Sequence, residues 1–271
     1  FLGGDLGAGE RLRLRFAPGC EVEFLEVLHE PVDEPGTRAL QERLGVGTGR
    51  YVLVCPGGGG VFNGRVDATP DYYQAGRRIA AESGLPVVAV LGPRFTPPEP
   101  APAGVHVLGT LPNSQLMGML RDARIGVVNG GSLLLQAIAQ RTPCVAAPIA
   151  EDQPERISSC AKAGFVRSAG LDANSLADGA RALLDDEPGR SALRQRLEAS
   201  GLRNGVDVAV DAVARLVRSP LATPGSGTAL APERLRIMQV ILSSGFAGSE
   251  RAAAEACNAM CVRHDVAAVV R

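Results

Sequence analysis

From Arg50 to Arg218 the chain repeats one local pattern: a short, unbroken apolar run, a stop at Gly or Pro, then a stretch with helical spacing. The runs are Tyr51–Cys55, Leu85–Leu91, Val105–Leu108, Ile125–Val128 and Cys144–Ala147. Helical spacing follows at Asp71–Ser83, Ser114–Ala123, Leu133–Gln140, Gln153–Ala163, Asn174–Leu184, Ser191–Leu197 and Asp207–Val217. A strand that does not alternate apolar with polar residues must be covered on both faces, and strands separated by helices pair in parallel. The pattern therefore predicts an α/β fold: a Rossmann-like parallel sheet with helices on both faces. Ligands of such sheets bind outside the carboxyl ends of the strands.

Composition narrows what can bind there. The net charge is −1, from 28 Lys plus Arg against 29 Asp plus Glu, which gives no basic field for nucleic acid. Aromatic residues make up 4% of the chain and Trp is absent, so base-stacking surfaces are not expected. No apolar run reaches the roughly 20 residues that span a bilayer. The six cysteines are irregularly spaced, which favours buried thiols in a reducing compartment over a disulfide framework. Cys257 and Cys261 share a helix face with His264 nearby, too small a set to predict a metal site.

Three loops fall where ligands are expected. Gly57–Gly60 directly follows a strand, and successive glycines let backbone approach a diphosphate; a loop without ligand is the alternative. Its spacing is not that of a dinucleotide fingerprint, which counts against a nicotinamide-dependent oxidoreductase. Gly130-Gly131-Ser132 lies between the strand ending at Val128 and the next helix. Ser132 is expected to cap that helix, whose first-turn N–H groups would face a phosphate; the glycines could equally serve only close packing. Gln136, four residues on, shares the helix face of Ser132 and could reach a ribose hydroxyl or simply face solvent. Pro148, Glu151, Asp152 and Gln153 form a polar loop after a strand, suited to reading substrate hydroxyls. Arg156 could neutralise a phosphate or pair with Glu151 or Asp152. No catalytic residue can be named: His29, His106 and His264 are scattered, and adjacent carboxylates such as Asp185-Asp186 diverge in direction.

Val127-Val128-Asn129-Gly130-Gly131-Ser132-Leu133-Leu134-Leu135-Gln136, with Thr142-Pro143 and Pro148-Ile149-Ala150-Glu151-Asp152-Gln153, resembles the donor-binding half of GT-B glycosyltransferases. The branch most similar contains the lipid II-forming N-acetylglucosaminyltransferase, and the resemblance covers residues 50–218. It implies that Gly58, Gly59, Gly60, Gly130, Gly131 and Ser132 hold the diphosphate of a nucleotide sugar, with a UDP-sugar favoured. It places Leu111, within Gly109–Leu116, near the base, Gln136 at the ribose and Asp152-Gln153 at the donor sugar. The ribose position is usually glutamate, so Gln136 keeps a hydrogen-bonding head but loses the charge-assisted bond. No cofactor or metal is implied. The acceptor would be a lipid-linked or cell-surface glycan, with a cytoplasmic location and peripheral association of the parent enzyme with the inner face of the membrane. A nucleotide-sugar 2-epimerase or a non-catalytic nucleotide-binding regulatory module would use the same fold.

The flanks are expected to be separate pieces. Residues 1–49 read as the remnant of a preceding domain: Arg11–Phe16 and Val22–Leu28 alternate like half-exposed strands, Pro31–Pro35 breaks the pattern, and Gly36–Leu44 follows as a short helix. Residues 219–233 have the Pro, Gly and Ser content of a flexible linker. Residues 234–271 read as a truncated βαβ tail, a strand at Leu235–Ile241, a helix over about Ser249–Val262 and a second strand at Val266–Val270, and they resemble the start of a retaining GT-B unit through Ile237-Met238-Gln239-Val240 and Gly245–Arg251. Starting at Phe1-Leu2-Gly3-Gly4 without a Met, the chain reads as a fragment of a longer enzyme, inactive alone.

Overall fold

In a computed structural model, residues 21–24, 27, 29–57, 67–151, 153–201, 205–218, 236–241 and 265–270 are described. The chain divides into two units, His29–Gly201 and the joined ends Phe1–Leu28 with Leu202–Arg271.

In His29–Gly201 the apolar runs become strands: β2 (Val52–Cys55), β3 (Val87–Val90), β4 (Val105–Leu108), β5 (Ile125–Asn129) and β6 (Cys144–Ala147), joined by β7 (Arg167–Ser168). All neighbours pair in parallel, in the order β4-β3-β2-β5-β6-β7. Every residue of β2, β3, β5 and β6 is buried, as unbroken apolar strands require, whereas β4 at one edge is half-buried. The two-residue β7 was not expected; Arg167 and Ser168 carry no apolar signal, and only pairing with Val145 and Ala146 makes them a strand.

The helices are α1 (Glu34–Leu44), α2 (Thr69–Ser83), α3 (Asn113–Asp122), α4 (Ser132–Ala139), α5 (Gln153–Lys162), α6 (Ala173–Asp185) and α7 (Glu187–Ala199). α2 begins two residues earlier than expected with Pro70 in its first turn, and α1 and α7 begin two and four residues earlier with Pro35 and Pro188 there, where a missing N–H costs nothing. Asp33 and Asp186 cap these helices through the amides of Gly36 and Gly189, at 3.0 and 2.8 Å. α2 and α6 pack together over β2, β3, β5 and β6, while α1, α3 and α4 form a contiguous second layer. Tyr72 of α2, fully buried, donates to the carbonyl of Val128 at 2.8 Å and ties that layer to β5.

Gly118 lets α1 and α3 touch: a Cβ there would run into Thr37, meeting its Cγ2 at 2.8 Å. The Thr37 hydroxyl is itself buried without a partner among the described residues. Gly118→Ala is therefore expected to cost about 2 kcal/mol by overpacking, read from the urea midpoint. Adding Thr37→Ala should recover most of the loss; an unchanged midpoint in the single variant would contradict this contact.

The second unit contains β1 (Glu21–Phe24), α8 (Gly205–Arg218), β8 (Arg236–Ile241) and β9 (Asp265–Val270). Its sheet is three-stranded and parallel, in the order β1-β9-β8, with Glu21 opposite Ala267 and Arg236 opposite Asp265. α8 packs on β8 and β9. The strands expected separately in residues 1–49 and 234–271 thus share one sheet. The expected strand at Arg11–Phe16, the linker and the helix after Gly248 lie outside the described residues. Among the described residues no helix is long and apolar enough to cross a membrane.

Candidate functional site

Strand order determines where a cleft can open. The chain leaves β2 toward β3 on one side and leaves β5 toward β6 on the other. The connections diverge between β2 and β5, the switch point at which such sheets hold ligands. A cleft of about 360 Å³ lies there, lined by residues from the ends of β2, β3, β4 and β5. That volume is within the range of small-molecule sites.

One wall holds Cys55 at the end of β2 and Gly57 beyond it, with Val90 at the end of β3 and Gly92 and Pro93 beyond it. The next holds Gly109, Thr110 and Leu111 after β4, with Asn113 and Leu116 of α3. The third holds Asn129, Gly131, Ser132, Leu133 and Gln136, along β5 and the first turns of α4, and Gln153 closes the site. Burial raises the Cys55 thiol to about 11, so it stays protonated at neutral pH and is no nucleophile there. Cys144 and Cys160 are likewise buried free thiols. Among the described residues no group of three metal-ligating side chains occurs; Cys257, Cys261 and His264 lie outside them.

Of the residues singled out in the sequence, Leu111, Gly131, Ser132, Gln136 and Gln153 come together in this cleft. Gly58, Gly59, Gly60 and Asp152 lie outside the described residues. Gly130 sits just behind the cleft wall, where a Cβ would come within 2.6 Å of the Ile157 Cδ1, so close packing accounts for this glycine. Arg156 donates from Nη1 to the Gly130 carbonyl at 2.7 Å and thereby braces the turn from behind.

Ser132 requires a correction. It is the first residue inside α4, and the cap position belongs to Gly131, at φ −84° and ψ −151°, with no capping side chain. A serine can cap only from the position before the first helical residue, and here the chain enters the helix one residue earlier than expected. The N-terminus of α4 still opens on the cleft through Ser132 and Leu133, so the positive end of the helix dipole remains available to an anion.

Gln153 is 2% exposed, and its Oε1 accepts from the amides of Gly130 at 3.1 Å and Ile149 at 2.9 Å. It joins the turn after β5 to the loop after β6. Asn129, 7% exposed, has no role assigned in the sequence, where it stands as a polar residue ending an apolar run and as one member of the segment Val127–Gln136. Its two polar atoms bond to loops on both sides of the switch point.

No family model matches the sequence, and no curated protein matches it. Solved structures are similar in fold. The calicheamicin glycosyltransferase CalG4 aligns at TM-score 0.50 and 21% identity, covering 63% of this chain and 44% of that one. A candidate UDP-N-acetylglucosamine 2-epimerase from Listeria monocytogenes aligns at TM-score 0.50 and 15% identity, covering 74% and 50%. The chain therefore spans half or less of the length of either protein. With its strand order, its flanking helices and its cleft at the switch point, the chain carries a Rossmann-like α/β fold of the GT-B kind.

Proposed function

We propose that the cleft holds a nucleoside diphosphate sugar and that the chain supplies the donor-binding half of a glycosyltransferase. The observation that carries this reading is the meeting of Gln136, the α4 N-terminus and the loop after β4 around one cleft at the switch point. The base lies by Leu111, the ribose by Gln136, and the diphosphate at the first turn of α4 beside the loop after β2. As the sugar–diphosphate bond breaks, the helix terminus and nearby amides stabilise charge on the leaving group. Arg156 contributes through the Gly130 carbonyl that it braces. UDP is the favoured nucleotide and a lipid-linked or cell-surface glycan the acceptor, taken at the cytoplasmic face of the membrane. Transfer also requires an acceptor site beside the donor cleft.

Calorimetric titration of the full chain with UDP, GDP, ADP, CDP, dTDP and NAD tests this. UDP is expected to bind best. Gln136→Glu should tighten it about fivefold, since a hydrogen bond to a charged acceptor is worth about 1 kcal/mol more than a neutral one. That gain should vanish with 2′-deoxy-UDP. Preference for NAD, or no nucleotide binding by the folded chain, would defeat the reading. A 2-epimerase is the second reading, favoured by the likeness to the Listeria monocytogenes structure. It needs an acid/base pair at the sugar, and no Asp, Glu, His or Lys is among the described residues that line the cleft.

A further inference from the structure

The geometry points to Asn129 as a positioning residue that locks the two phosphate-facing loops together across the switch point. This inference rests on the nucleotide-binding reading above and concerns a residue in which the sequence showed no role.

Asn129 is the last residue of β5, where the chain turns toward α4. Its Nδ2 donates to the Pro56 carbonyl at 2.6 Å, and its Oδ1 accepts from the Gly131 amide at 2.7 Å. The partners settle which atom is which, because a carbonyl can only accept and an amide N–H can only donate. One buried carboxamide thus bridges the loop that leaves β2 and the turn that leaves β5. These strands are neighbours in the sheet, but their following connections run in opposite directions. Among the described residues the ladder between β2 and β5 ends at Cys55 and Val128, and past that pair the Asn129 carboxamide is what joins Pro56 to Gly131.

The flanking glycines fit this arrangement. Gly57 has φ +100°, and a Cβ there would lie 2.5 Å from the Asn129 Nδ2. A Cβ on Gly131 would lie 2.9 Å from its Oδ1. Both positions therefore leave room for the Asn129 carboxamide, whatever else they do for a ligand. A diphosphate held between the β2 loop and the α4 N-terminus needs both at a fixed separation. A nucleoside, held by the loop after β4 and by Gln136, does not.

The test compares UDP with uridine on the full chain, by calorimetry, for wild type, Asn129→Ala and Asn129→Ser. With both bonds removed, Asn129→Ala is expected to weaken UDP about 20-fold, the scale of two lost hydrogen bonds, and to change uridine less than about twofold. Asn129→Ser keeps a short acceptor for the Gly131 amide but cannot reach Pro56, so an intermediate loss confined to UDP is expected. It carries the test if the alanine variant does not fold. Equal losses for UDP and uridine would make Asn129 merely structural and overturn the inference, as would unchanged UDP affinity. Either result leaves nucleotide binding by the wild type intact. Failure of wild type to bind either compound would remove the inference together with the reading beneath it.

Discussion

Gly131→Asp is expected to lower UDP affinity by more than 100-fold while the protein stays folded. The substitution sets a carboxylate at the mouth of the cleft, beside the first turn of α4. Gly131 has negative φ, so a side chain meets no backbone strain; its closest neighbours would be Asn129 Oδ1 at 2.9 Å and Gln153 Nε2 at 3.4 Å. An acid at a helix N-terminus is favourable, which offsets part of that crowding. For a bound diphosphate the same acid is a rival for the same dipole. Two like charges about 5 Å apart at an effective dielectric near 20 repel by about 3 kcal/mol, a factor of more than 100 in affinity. Gly131→Asn, similar in size and uncharged, should lose far less. Comparable losses for the two variants would show that crowding rather than charge is responsible, and would move the phosphates away from this helix.

Gln153→Leu is expected to cost a large share of the protein's stability. Gln153 is buried, and its carbonyl oxygen serves two backbone amides at once. Gly130 keeps a second acceptor in the Ala147 carbonyl at 3.2 Å. The amide of Ile149 loses its partner, and a buried donor left unsatisfied costs about 1–3 kcal/mol. With the weakened Gly130 bond and the altered side-chain shape, the total is expected near 3 kcal/mol. Urea denaturation monitored by circular dichroism checks this. Gln153→Glu retains an acceptor and should fold more stably than the leucine variant at acidic pH, where the buried carboxyl can be neutral. A leucine variant as stable as the wild type would mean that the loop after β6 does not depend on this side chain.

The elements of His29–Gly201 were legible because strands buried on both faces leave a sequence mark that needs no partner to read. Val52–Cys55, Val87–Val90 and Cys144–Ala147 are apolar throughout, and each ends near a Gly or Pro. Helix starts were less legible, since proline is a breaker inside a helix but is welcome in its first turn. Pro35 and Pro188 were ambiguous until Asp33 and Asp186 were seen capping. Ser132 was misjudged for a related reason: Gly131 and Ser132 are both acceptable cap residues, and only backbone angles decide between them. The cleft's internal bonds were the least visible. Asn129 meets Pro56 only because β5 lies beside β2, and Gln153 meets Gly130 only because β6 lies beside β5. Strand order is a property of the whole sheet, so no local window of sequence carries it.

The sheet β1-β9-β8 has a kinetic consequence. Glu21 is the partner of Ala267, and all of His29–Gly201 is synthesised between them. On the ribosome, β1 emerges before His29–Gly201 and must wait until all of that unit has been made before β9 is available. Pairing so distant in sequence carries a large loop-closure cost and is slow. If His29–Gly201 has already folded by then, much of that loop is compacted and the ends have less conformational space to search. Until the pairing closes, β1 is an unpaired strand, open to pairing with another chain.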